Sequence, residues 1–163
     1  GEELGMKGSG KDENKRAPMY WNKDGNAEGM CKGPADMDDF RMKFDSLEEQ
    51  QEDPDSIYNY VKQVIRVRNQ NPVIARGTTA YLEQYSGEQC FALTRSYEGS
   101  NLLLLGNTSA EAVSVDLTGL TVGGTTAEEL VLLGELYTGE ETAERAGTVV
   151  TLPAYSILIL GEE

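Results

Sequence analysis

QCFALTRSYEGSNLLLLGN, residues Gln89 to Asn107, decides the fold. Two short runs rich in apolar and aromatic residues, Gln89 to Tyr97 and Asn101 to Asn107, flank the turn residues Glu98-Gly99-Ser100, the pattern of paired strands. Working outward, further candidate strands follow at Thr79 to Tyr85, Ala112 to Leu117, Glu129 to Tyr137, Thr148 to Leu152 and Tyr155 to Leu160. Ser86-Gly87, Gly119, Gly123-Gly124, Gly139 and Gly147 punctuate them. Parallel neighbours need long crossovers, and no helical pattern separates these strands, so the sequence predicts a mainly β fold. It takes the form of an antiparallel, Greek-key-like β-sandwich over residues 78–163.

The period changes upstream. In DPDSIYNYVKQVIRVRNQNP, Asp53 to Pro72, the residues Ile57, Val61, Val64 and Ile65 fall on one helical face. Asp53 suits a cap, Pro54 the first helical position and Asp55 the positive end of the dipole, while Asn71-Pro72 marks a stop. One α-helix is therefore expected over about 53–71, with its apolar face packed against a neighbour. Residues 1–52 show no sustained period and read as one long loop system. Loops of that length in compact domains serve a site or lack their normal neighbours.

Charge and composition exclude more than they select. The 163 residues carry 14 Lys plus Arg against 28 Asp plus Glu, a formal charge of -14. Such a surface repels nucleic-acid phosphates and anionic lipid heads, and no nucleic-acid partner is expected. A neutral carbohydrate meets no such repulsion. The longest apolar runs, around Leu102 to Leu105 and Ile157 to Leu160, are strand-sized, so no membrane span is expected in this segment.

The chain has no His, which removes Ser-His and Cys-His nucleophile arrangements and His-containing zinc sites. Its two cysteines, Cys31 and Cys90, are read as buried or free rather than bridged. Neighbouring acids such as Glu2-Glu3, Asp38-Asp39 and Glu140-Glu141 read as solvated faces, because adjacency in sequence does not make a catalytic dyad.

GEELGM at the start, KRAPMYW at Lys15 to Trp21, EEQQEDPDSIYNYVKQVIRVRNQNP and LPAYSILIL occur in that order. Together they resemble the C-terminal part of the α-amylase superfamily of glycoside hydrolases, the group of α-amylases and oligo-α-1,6-glucosidases. The first two motifs are the specific ones. The stretch Thr108 to Gly147 carries no such signature. The resemblance implies that residues 1–77 are the end of a (β/α)8 barrel: Gly1 to Met6 is the end of the eighth strand and the loop leaving it, Lys7 to Gln51 forms an active-site loop, and the helix is the last of the barrel. Active sites of such barrels lie at the C-terminal ends of the strands and in the loops that follow. The chain starts without Met and reads as part of a longer protein.

The chemistry the resemblance implies is retaining cleavage of α-glucosidic bonds, with a carboxylate nucleophile and a carboxylic acid roughly 5 to 5.5 Å apart. The family's catalytic carboxylates would precede Gly1, so none is assigned here and the segment alone is expected to be inactive. Arg16 matches an Arg that, in exo-acting members, holds the terminal glucose, a task suited to a planar two-pronged donor. A loop-anchoring ion pair with Asp12 or Glu13 is the alternative. Trp21 offers a flat face to a sugar ring or packs the loop. Tyr20 stands where relatives often carry Gln. No cofactor or metal is expected of this segment; calcium would belong to the rest of the parent. The implied partner is an α-glucan or maltooligosaccharide, met through the complete enzyme. The compartment, cytoplasmic or secreted, stays open.

Two alternatives stand beside this one. The sandwich could be a carbohydrate-binding module in its own right, with Tyr81, Tyr85, Phe91, Tyr97, Tyr137 and Tyr155 as its aromatics. Alternation puts Tyr81 and Tyr85 on one face, and Phe91 and Tyr97 together only across a bulge. Bracing the barrel is the simpler role. The chain could also be the tail of a non-catalytic relative used as a scaffold. Cut away from a barrel, the helix would expose apolar surface and favour self-association.

Overall fold

The computed structural model describes residues 1–162, which form two compact units, Gly1–Lys62 and a second from Gln63 onward.

The second unit holds ten strands: β1 (Thr78–Tyr81), β2 (Cys90–Tyr97), β3 (Ser100–Asn107), β4 (Val113–Asp116), β5 (Thr121–Val122), β6 (Thr125–Thr126), β7 (Val131–Leu136), β8 (Glu144–Ala146), β9 (Val149–Leu152) and β10 (Ile157–Gly161). Every recorded pairing is antiparallel. The strands make a five-stranded sheet in the order β1-β2-β3-β10-β7, a three-stranded sheet in the order β4-β9-β8, and the small hairpin β5-β6. The chain leaves the large sheet after β3, returns at β7, crosses again to β8 and β9, and returns at β10. This is the expected antiparallel sandwich.

The core lies between the sheets. Ala92, Leu103, Leu105, Leu158 and Leu160 from the large sheet meet Val115, Val150 and Leu152 from the small one, joined by Leu117, Leu120, Val122, Ala127 and Leu130 from the β4–β7 region. On the opposite face of the large sheet, Leu102 and Ile159 pack with Val73, Val67 and Ile74. The two central strands β3 and β10 are therefore covered on both sides, which explains why LLLL and ILIL do not alternate.

Local chemistry sets the details. Tyr97 pairs with Ser100, so the β2–β3 turn has only two central residues, Glu98 and Gly99, both at positive φ (51° and 87°). That is the twist a two-residue hairpin needs, and Ser100, expected in the turn, opens β3 instead. Gly123 and Gly124 make the same kind of turn between β5 and β6. The β2–β3 register runs unbroken, so Phe91 and Tyr97, six positions apart, share a face without the expected bulge. The bulge lies in β7: Ile159 pairs with Gly134 but Leu160 with Leu132, leaving Leu133 over.

Helical structure exceeds the single helix expected. Three α-helices occur: α1 (Leu47–Glu52), α2 (Ile57–Gln70) and α3 (Pro72–Arg76), with 3-10 turns at Glu2–Leu4, Asp12–Arg16 and elsewhere. Residues 1–52 are thus not loop throughout, and Glu2–Leu4 forms a 3-10 turn. Helix α2 starts at Ile57, not Asp53. Asp53 Oδ1 accepts the Asp55 N–H at 3.0 Å, closing a turn around Pro54, and Ser56 Oγ accepts the Asn59 N–H at 3.2 Å as the actual cap. The stop at Asn71-Pro72 holds for α2, but Pro72 also opens α3, where its missing N–H costs nothing. No residue of α2 is fully buried, and Ile65 is 52% exposed.

Candidate functional site

The residues singled out in the sequence lie in the first unit, whose irregular chain is held by two buried amides. Gln50 is 3% exposed; its Nε2 donates to the carbonyls of Leu4 (3.0 Å) and Asp45 (2.7 Å), and its Oε1 accepts the Tyr58 N–H at 3.1 Å. Its own carbonyl accepts Ser56 Oγ at 2.6 Å and Asn59 Nδ2 at 2.9 Å. One side chain thus ties the first turn, the end of the loop and the start of α2 together. Asn14 is the second clamp. Its Nδ2 donates to Ser9 O and Asp38 Oδ2, both at 2.8 Å, and its Oδ1 accepts the Asp38 N–H at 2.9 Å. Lys11 Nζ lies 2.7 Å from Asp38 Oδ1.

Arg16 ends the Asp12–Arg16 turn and pairs with Asp12, one turn back, both side chains exposed. The alternative contact named for it is therefore formed, with Asp12 rather than Glu13. An exposed pair of this kind is weak and can exchange partners. Trp21 is 44% exposed, and its backbone is anchored: the carbonyls of Tyr20 and Trp21 accept the N–H groups of Leu47 and Glu48, the first donors of α1. Ser46 and Glu49 complete that helix start as a capping box. Tyr20 donates its hydroxyl to the Lys23 carbonyl at 3.3 Å. A hollow of about 440 Å³ lined by Met6, Lys7, Asn14, Lys15 and Met19 opens nearby in sequence, but neither Arg16 nor Trp21 lines it.

Several carboxylates are held ionised by the hydrogen bonds they accept. Asp38 is held below the usual carboxylate range by Lys11 and then Asn14; Glu49 by Ser46; Asp116 by Thr118 and Thr148; Glu129 by Thr126; Glu3 by its own backbone N–H and the terminal amine. Among the described residues no group of three or more Cys, Asp or Glu gathers as a metal site. Both cysteines are free, Cys31 exposed and Cys90 half-buried. No helix is long and apolar enough to cross a membrane.

In the sandwich the aromatics do not form the expected pair. β1 ends at Tyr81, and Tyr85 sits in a 3-10 turn (Glu83–Tyr85), its hydroxyl donating to Thr118 O at 3.2 Å. Ser86 explains the break: its Oγ accepts the Ala92 N–H at 2.9 Å and donates to Leu82 O, taking over a ladder position. Tyr137 donates to Glu135 Oε2 at 2.7 Å and accepts the Ala143 N–H at 3.0 Å; partial burial raises its pKa. Tyr81 and Tyr155 remain well exposed, at 61% and 50%. Gln50 and Asn14 were missed in the sequence; a lone amide in a polar loop carries no signal that it will be buried.

No protein-family model matches the chain. Solved structures do. Eubacterium rectale Amy13B is 39% identical with a TM-score of 0.89, and the alignment covers 100% of this chain and 30% of that one. The α-amylase from H. orenii is 27% identical with a TM-score of 0.76, covering 100% of this chain and 31% of that enzyme. The trehalulose synthase MutB, 24% identical with a TM-score of 0.64 over 91% of this chain and 25% of its own, shares the fold. The chain thus spans about 30% of the length of the first two relatives. Sequence and fold together make it a C-terminal portion of an α-amylase-superfamily enzyme.

Proposed function

We propose that residues 1–77 are the last part of a catalytic barrel and residues 78–163 an accessory sandwich, both belonging to an enzyme that hydrolyses α-glucosidic bonds in starch or maltooligosaccharides with retention. The observation that carries this is the likeness over the full chain to Amy13B, at 39% identity and a TM-score of 0.89. On this reading Lys7 to Gln51 is an active-site loop, held in shape by Asn14 and Gln50, and it presents Arg16 and Trp21 to sugar. The nucleophile and acid lie upstream of Gly1. The sandwich braces the barrel; the hydroxyls of Tyr137 and Tyr85 are engaged in internal hydrogen bonds, which leaves Tyr81 and Tyr155 as its well-exposed rings.

Two experiments test it. Calorimetric titration of the chain with maltoheptaose, followed by an assay for released reducing sugar, is expected to show neither binding nor hydrolysis. Hydrolysis by the pure chain would overturn the upstream placement of the carboxylates, and binding without hydrolysis would make the sandwich a carbohydrate-binding module. In the complete enzyme, Arg16→Ala is expected to raise KM for maltooligosaccharides about tenfold, the loss of one or two charge-assisted hydrogen bonds. Unchanged kinetics would leave Arg16 a partner of Asp12 and nothing more.

A further inference from the structure

All five methionines of the chain, Met6, Met19, Met30, Met37 and Met42, fall within its first 42 residues, and the sandwich has none. All five are half-buried. They lie in a segment with little regular structure. A Cβ on Gly33 would meet Met37 Sδ and Cε at 2.9 Å, so Met37 lies directly on that backbone beside Pro18. Met6 covers Gly1 in the same way. Met42 Sδ accepts the Lys7 N–H at 3.4 Å, joining the two ends of the loop. Met30, Met37 and Met42 line one hollow of about 410 Å³ with Pro18, Tyr20 and Phe40.

We infer that this thioether set is an oxidative modification site that loosens the loop of residues 7–45 while leaving the sandwich folded. The co-reactant is a peroxide. A sulfur lone pair attacks one oxygen of hydrogen peroxide, forming an S–O bond as the O–O bond breaks; the transferred OH gives up its proton, the other oxygen leaves as hydroxide and takes a proton up to become water, so that sulfur is oxidised by two electrons and peroxide reduced by two. The sulfoxide is polar and stiffer than the thioether, so it cannot keep the contacts that Met37 and Met6 make on bare backbone. At Met42 the added oxygen crowds the sulfur that accepts the Lys7 N–H and is itself a stronger acceptor, so the geometry of that bond must change. Buried Leu and Val side chains, which peroxide does not touch, hold the sandwich.

The test uses this chain with Cys31→Ser and Cys90→Ser, so that thiol oxidation is removed, treated with hydrogen peroxide and followed by intact mass. Trypsin cleavage after Lys11, Lys15, Lys23 and Lys32 is expected to accelerate about tenfold as sulfoxides accumulate, with thermal unfolding of the sandwich unchanged. Treatment with methionine sulfoxide reductases A and B is expected to restore the original rate, which needs no variant of the methionines to fold. A second chain with all five methionines changed to Leu is expected to be cleaved at a peroxide-independent rate. A fully oxidised protein cleaved at the starting rate, an acceleration that the reductases fail to reverse, or peroxide sensitivity in the Leu variant would each overturn the inference.

Discussion

Gln50 Nε2 donates to the carbonyl of Leu4, 46 positions earlier in the chain, at 3.0 Å in a buried setting. The bond closes the whole of the intervening loop against α1, and Gln50 Oε1, which accepts the Tyr58 N–H, carries the link on to α2. In Gln50→Leu the carbonyls of Leu4 and Asp45 and the N–H of Tyr58 lose their partner, and a buried unsatisfied group costs roughly 1–3 kcal/mol. A local destabilisation of ~2 kcal/mol, or about 30-fold faster amide exchange at Tyr58, is expected. Exchange as slow as in the original chain would show that the loop does not depend on this amide.

Asn107 plays the corresponding part in the sandwich. It is 3% exposed, and its Nδ2 donates to the carbonyls of Glu111, Leu152 and Pro153 while its Oδ1 accepts the N–H and hydroxyl of Ser109. Asn107→Asp turns the donor into an acceptor facing three carbonyls. A loss of at least ~2 kcal/mol at pH 7 is expected in chemical denaturation. The introduced carboxyl has its folded pKa raised, so the penalty shrinks as pH falls and the acid protonates. A pH-independent penalty would contradict this.

Gly106 faces Phe91 across the β2–β3 pair, and a Cβ there would overlap the Phe91 ring. Gly106→Ala is expected to cost roughly 1–3 kcal/mol by overpacking. Combined with Phe91→Leu, it is expected to cost less than the sum of the two single changes. Strict additivity in a double-mutant cycle would mean that the ring does not occupy the space over the glycine.

Acid stability follows from the lowered carboxylates. Asp116 accepts the N–H and hydroxyl of Thr118 and the hydroxyl of Thr148, and these bonds hold its pKa down in the folded state. A depressed folded pKa contributes stability that is present above the unfolded value, about 3.9 for Asp, and lost as pH falls through the lower folded value. Glu49 and Glu129 act in the same sense through Ser46 and Thr126. The midpoint of thermal unfolding is expected to hold from pH 7 to about 5 and to fall below about 4. Asp116→Asn, which keeps an acceptor but cannot titrate, is expected to flatten that fall; an identical slope would assign the acid sensitivity elsewhere.

Periodicity made the sandwich legible, because β-branched and Leu-rich runs separated by glycine have few other ways to bury themselves. What escaped is local competition. Asp53 and Ser56 both suit a helix cap, and only the turn that Asp53 makes with Asp55 decides between them. Tyr85 follows the strand pattern, yet Ser86 diverts the backbone before it. β8, the polar segment Glu144–Ala146, has no apolar signal and is defined only by pairing with β9. The order in the first unit rests on Asn14 and Gln50, single amides whose partners are backbone atoms far along the chain. Arg16 and Trp21 were placed by motif, and composition alone would not have chosen them.

β10 lies inside the five-stranded sheet, between β3 and the edge strand β7, although it follows both in sequence. During synthesis, β1, β2 and β3 emerge able to pair at once, but the seam that Leu104 needs against Ile159 stays open until the final strand has left the ribosome. The sandwich therefore cannot be completed stepwise from its start. A nascent chain stalled before Ile157 carries two unpaired edges, on β3 and on β7, and is the species that chaperones would have to shield.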